Sequence, residues 1–208
     1  MVFTLMSVTA PIAVARLVFK KYFSANQRLN SEDWTIVALA PFGFSTVVLT
    51  TYGLTRNGLG VDAWGLEQDQ VIAFGHYFYV VQMLYIILIA LVKLTLTFFY
   101  LNIFTGSIVR KFLWLLVATH VLTAVGFVIA IVFQCVPISY QWTKYDVSNG
   151  HPVSGQCNNI NAAGWVHGAL GVALDLWLMA IPLSQIHKLK LPWRKRLCVA
   201  LMFMTGSM

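Results

Sequence analysis

Residues 79–104 read YVVQMLYIILIALVKLTLTFFYLNIF, and the fold follows from that stretch. A helix rises about 1.5 Å per residue, so the run exceeds the roughly 30 Å hydrocarbon core of a bilayer. Its one formal charge, Lys93, lies deep inside. Successive helical residues turn through about 100°, which puts Gln82, Thr97 and Tyr100 on the face of Lys93 and leaves leucine, isoleucine and valine over much of the remaining surface. Such a polar face turns toward protein or trapped water. A lysine within the hydrocarbon marks a functional site by default.

The rest of the chain has the same character. With 59% hydrophobic and 10% charged residues and a mean hydropathy of +0.74, its 208 residues leave too little polar surface for a soluble domain. The expected class is an all-α, polytopic transmembrane helical bundle. It forms one integral membrane domain over residues 1–208, with spans near 1–19, 34–52, 75–104, 112–134 and 163–186 and a partial sixth at 197–208. The net charge of +7 does not point to nucleic acid, because the basic residues sit between apolar spans and no nucleic-acid motif accompanies them. A signal peptide ending near Ala13-Val14-Ala15 is disfavoured by the lack of a basic start and by Arg16, Lys20, Lys21 and Arg28 behind it. The last apolar run, about a dozen residues, is too short to span. The chain is therefore expected to be less stable than a version extended through two further spans.

Ahead of span 34–52, Ser31 can cap the first turn, and Glu32 and Asp33 favour the positive end of the helix dipole at the membrane interface. A glycine-rich turn over 53–60 leads to Asp62 and to Trp64, an interfacial anchor. Span 112–134 contains His120, read as a hydrogen-bonded packing residue. Span 163–186 carries Asp175 at its middle, on one face with Gly164, Gly168 and Gly171, and Pro182 near its end. Small residues on a shared face let membrane helices pack closely. Lys93 and Asp175 each lie about eleven residues, roughly 16 Å, from the same end of their spans. The expectation is a polar intramembrane site of Lys93, Asp175, Gln82 and Tyr100, with Lys93 and Asp175 paired.

Most of the 14 lysines and arginines fall in the links after the first, third and fifth spans, among them Arg110, Lys111, Lys188, Lys190, Arg194, Lys195 and Arg196. The positive-inside rule puts those links in the cytoplasm and the amino terminus outside. Loop 135–162 then lies outside, where thiols oxidise. Cys135 and Cys157, at opposite ends of it, are expected to be bridged, while Cys198 stays on the reducing side. Closing that loop contributes roughly 3 kcal/mol by restricting the unfolded chain. His76, His151 and His167 match no metal-ligand spacing, so no metal is expected. No nucleophile elbow, phosphate loop or paired acid and base is present, so an enzyme is not expected.

Taken in order, a set of landmarks resembles those of the fungal rhodopsin-domain integral membrane proteins. They are Glu32-Asp33-Trp34, the Gly58-Leu59-Gly60 turn with Trp64, Leu84-Tyr85, Lys93 ahead of Phe99-Tyr100-Leu101-Asn102-Ile103-Phe104, Phe133-Gln134-Cys135-Val136-Pro137 with Trp142, Cys157, Asp175 with Pro182, and Leu189-Lys190-Leu191-Pro192. The resemblance implies a seven-helix, G-protein-coupled-receptor-like fold in the plasma membrane, an external ligand of unassigned chemistry, and a heterotrimeric G protein as candidate transducer. Asn102 stands where an arginine is usual in that family. The family's name does not imply photochemistry. In light-driven proteins of that name the retinal lysine lies in the last span, whereas Lys93 lies in the third, and no cofactor is expected. In a receptor, the ligand would meet the 58–64 turn and the 135–157 loop. The alternative is a transporter of a small solute or proton along Lys93, Asp175, Gln82 and Tyr100, which the lack of an inverted repeat weakens.

Overall fold

The computed structural model describes residues 31–62, 65–144 and 154–188. The expectations for the first span, Trp64, His151, Lys190, Arg194, Lys195, Arg196, Cys198 and the last apolar run lie outside those residues. The protein is an all-α, polytopic helical bundle. Helix α1 (Ser31–Val48) continues through a π-helical segment (Leu49–Leu54). Then come α2 (Gln68–Ile103), α3 (Ser107–Val132), strand β1 (Cys135–Val136), short helix α4 (Tyr140–Thr143), strand β2 (Gln156–Cys157) and α5 (Ile160–Lys188). Among the described residues four helices, Asp33–Leu54, Gln68–Ile103, Ser107–Val132 and Ile160–Pro182, are long and apolar enough to cross a membrane. Hydrocarbon offers peptide groups no water, so each span closes its own hydrogen-bond ladder.

The helices begin ahead of the apolar runs because polar residues start them. At α2 the backbone N–H of Glu67 donates to Gln70 Oε1 at 3.3 Å, one half of a capping box. At α5 Asn159 Oδ1 accepts the N–H groups of Asn161 (3.0 Å) and Ala162 (3.3 Å). Apolar side chains then point outward along the spans. Ile108, Leu122 and Trp165 are 70%, 72% and 79% exposed, a pattern suited to lipid.

Helices α1 and α2 are antiparallel neighbours. At one end Thr95 Oγ1 donates to Thr35 Oγ1 at 2.9 Å. At the other, Gly53 lies so close to the Tyr77 ring that a Cβ would come within 2.5 Å of it. The π-helical segment sits at this crossing. The chain then turns through Gly58 and Gly60, whose φ values of 102° and 86° belong to the left-handed region that glycine enters without a Cβ penalty.

A short link joins α2 to α3, so these helices are antiparallel too. Tyr100 of α2, Leu113 and Leu116 of α3, and Leu174, Leu178 and Ile181 of α5 form a buried apolar cluster near the end that carries Arg110 and Lys111. Asp33, in the first turn of α1, is fully buried.

The opposite end is stapled. Cys135 and Cys157 form a disulfide, and the strands flanking it pair antiparallel with Cys135 opposite Cys157. The N–H of Asn158 extends the pairing by donating to Gln134 O at 2.8 Å. The Trp142 ring of α4 packs 4.2 Å from His76 and 6.2 Å from Tyr79, which fastens the loop to α2. Cys135→Ser and Cys157→Ser should therefore lower the thermal stability of the protein in nanodiscs by similar amounts, corresponding to roughly 3 kcal/mol each. The double change should add little to either. An impermeant thiol reagent should label neither cysteine until the protein is reduced; labelling of both in the unreduced, folded protein would show that no bridge exists.

Candidate functional site

Lys93 lies ten residues before the end of α2, about 15 Å into the helix from the Arg110 and Lys111 end. A charge at this depth is costly unless a partner neutralises it. The partner is Asp175 of α5, whose Oδ1 lies 3.0 Å from Lys93 Nζ. The same ammonium donates to the carbonyl oxygen of Gly171, one turn earlier on α5, at 3.1 Å. Gly171 leaves this approach open, since a Cβ there would meet only Lys93 Nζ, at 3.6 Å. Lys93 is largely covered, at 15% side-chain exposure, whereas Asp175 keeps 47%. Its uncovered half discounts the pair relative to a fully enclosed one.

Of the other residues expected at this site, Thr97 is fully buried and its hydroxyl donates to Lys93 O at 2.8 Å. Gln82 lies eleven residues earlier on α2, about 16 Å toward the disulfide end, and its buried Oε1 has no hydrogen-bond partner. Tyr100 lies two turns beyond Lys93, in the apolar cluster. Lys93 and Asp175 thus meet, while Gln82 and Tyr100 sit at other depths on the same helix.

Three residues join the site, two of them read otherwise from the sequence and one, Thr123, not singled out there. His120 and Thr123 of α3 and His167 of α5 line, with Lys93 and Gly171, a void of about 30 Å³. The signal for His120 was its position inside an apolar span. Its depth relative to Lys93 became readable only once α3 was placed beside α2 and α5. Among the described residues no group of three histidine, cysteine, aspartate or glutamate side chains comes together. His76 packs on Trp142, and His167 stands edge-on to Phe127 at 4.7 Å.

A second feature lies at the disulfide end. Leu59 and Leu66 from the glycine turn, Val71 and Phe74 from the head of α2, and Gln141 and Lys144 from the stapled loop border a cavity of about 400 Å³. Gln141 is itself buried, with its side-chain amide 2.8 Å from Cys135 Sγ. Phe74 and Phe78 stack with ring centroids 5.9 Å apart on this part of α2. Arg110 and Lys111 start α3 at the far end, and Lys188 closes α5.

An apolar multi-helix bundle with a lysine–aspartate pair at its middle and a disulfide-stapled loop at one end defines an integral membrane protein with an internal polar centre. The chain belongs to the family of the fungal rhodopsin domain, whose model matches residues 15–208. It is similar to an "SAT4 family membrane protein" of Emericella nidulans, 30% identical over 129 residues, which cover 60% of this chain and 32% of that protein. It is also similar to "Receptor GIN3" of Arthrobotrys oligospora, 26% identical over 184 residues, covering 86% of this chain and 42% of that one. The chain thus spans less than half the length of these curated relatives. No solved structure matches.

The geometry makes the pair testable by a double-mutant cycle. Lys93→Met or Asp175→Leu alone should each destabilise the protein by about 2 kcal/mol, below the roughly 3–5 kcal/mol of a fully enclosed pair because Asp175 is half uncovered. The double variant should recover much of that loss. Thermal unfolding of the four proteins in nanodiscs reads the coupling; a double variant as unstable as the sum of the singles would leave the two residues uncoupled.

Proposed function

We propose that this chain is the membrane core of a receptor. An external ligand enters at the disulfide-stapled end, and the response leaves at the end carrying Arg110, Lys111 and Lys188, where a heterotrimeric G protein is the candidate transducer. The observation that carries this reading is that the cavity of about 400 Å³ is walled by the head of α2, the same helix whose far half holds the paired Lys93. The oxidised loop and the basic links support an orientation with the amino terminus outside, and the plasma membrane is where the receptor reading puts the chain. The relative named as a receptor supports the same class.

The size of the cavity suits a small molecule, and its leucine, valine and phenylalanine walls beside Gln141 suit one that is mostly apolar with a single polar end. Such a ligand acts only through unequal affinity for two helix arrangements. A path for a solute is the competing reading. The void beside Lys93, about 30 Å³, has the size of one water, which speaks against passage of a solute and leaves a proton as the transporter's candidate cargo.

A thermal-shift screen of small amphiphilic molecules against the protein in nanodiscs tests this. Saturable stabilisation by a compound, weakened in Val71→Trp, whose indole narrows the cavity, and without entry of that compound into proteoliposomes, is the expected result. Stabilisation that Val71→Trp leaves intact would put the ligand elsewhere. Uptake of the compound driven by the protein would establish the transporter.

A further inference from the structure

The centre of the bundle has an unfilled requirement. His120 is 3% exposed, and its Nε2 has no hydrogen-bond partner. A buried polar atom without a partner is costly, more so in a low-dielectric interior. Lys93 has a related surplus. An ammonium carries three N–H donors. Two of them are directed at Asp175 Oδ1 and Gly171 O, and no further partner is found among the described residues. Between these groups lies the void of about 30 Å³, lined by Lys93, His120, Thr123, His167 and Gly171 as well as by apolar side chains. A void takes a water when it holds at least about 10–15 Å³ and offers two to four polar partners. This one meets both conditions.

We propose that one structural water occupies this void. It accepts the third N–H of Lys93 and donates to His120 Nε2. Its second O–H is directed at Thr123 Oγ1, whose own hydrogen is engaged by Thr119 O at 2.7 Å, so that the hydroxyl oxygen is left as an acceptor. His120 then carries its proton on Nδ1. The water ties α3 to the α2–α5 charge pair, and the polar centre becomes a three-helix unit in which His120 positions the Lys93 ammonium without touching it. This site stands whether or not the receptor reading holds, since it rests on the void and on the two unfilled hydrogen-bonding groups.

Gly171 supplies the control. A methyl group at Gly171 has no neighbour within 4 Å except Lys93 Nζ, at 3.6 Å, so Gly171→Ala crowds the Lys93 side of the void without a clash. Radiolytic hydroxyl-radical labelling of the protein in nanodiscs, read by mass spectrometry, reports buried side chains that touch a bound water. His120 should be oxidised in the wild-type protein despite its burial, and Gly171→Ala, which narrows the void, should lower that oxidation while labelling of the peripheral His76 stays the same. No oxidation of His120 in the wild type, or equal oxidation in the two proteins, overturns the proposal. A second measurement is the Tm of His120→Phe, which keeps a ring and removes the nitrogen. A water bridge predicts a fall of about 3 °C or more. A rise in Tm would mean a dry void and an unsatisfied nitrogen, and would overturn it as well.

Discussion

A lysine ammonium sunk among hydrocarbon requires neutralisation, and the way this chain satisfies Lys93 constrains the helices around it. Lipid tails are as apolar as leucine, so no hydrophobic force drives one membrane helix against another. Association must come from close packing and polar contacts, and α5 offers both. Gly171 brings a backbone carbonyl to 3.1 Å from Nζ, and Asp175, one turn on, brings a carboxylate to 3.0 Å. Immediately beside them Leu174, Leu178 and Ile181 close on Tyr100, Leu113 and Leu116. The ion pair gives α5 its rotation and depth against α2, and the apolar cluster sets its distance.

The disulfide end makes this register reproducible. The bridge joins the exit of α3 to the entrance of α5, so both helices are measured from one fixed point. His120 lies twelve residues before the end of α3, about 18 Å from it, and Asp175 lies fifteen residues after the start of α5, about 22 Å from it. The two therefore arrive at similar depth, and the void forms where they meet Lys93. The tilted packing of Trp142 on His76 brings α2 into the same frame. A covalent tie in the loop thus bears on a polar contact deep in the bundle.

Much of this was legible in the sequence. The all-helical class followed from apolar runs long enough to span, and the disulfide from two cysteines in one loop on the side that the charges mark as outside. The pair followed from two opposite charges at equal depth, but of the three glycines expected to pack closely on the face of Asp175 only Gly171 meets a neighbour, while Gly164 and Gly168 face open space. Helical angle alone read less well. It put Gln82 and Tyr100 on the face of Lys93, yet a face runs the whole length of a helix, and these residues lie about 16 Å and 10 Å away along it. His120 carried too little information by itself, because its meaning depends on which neighbours stand at its depth. Asp33, read as an acid favouring the first turn of its helix, does stand in the first turn of α1, but its full burial there could not be read from the sequence.

In the receptor reading, the stretch from the cavity to the pair is the remaining physical question. Phe74 and Lys93 are nineteen residues apart on one unbroken helix, about 28 Å. Coupling over such a distance requires an element with two discrete arrangements that both ends can bias. Lys93 has the makings of one, because its two partners sit on successive turns of α5, one a carboxylate and the other a carbonyl. A small slide or rotation of α2 can lengthen one contact while preserving the other, and packed interiors convert such shifts into jumps because they resist continuous deformation. A ligand wedged between the glycine turn, α2 and the stapled loop acts on the end of this lever, where Gly53 and Tyr77 leave no slack between α1 and α2. The push is then taken up at the polar centre and at the cluster below it, where α3 begins with Arg110 and Lys111.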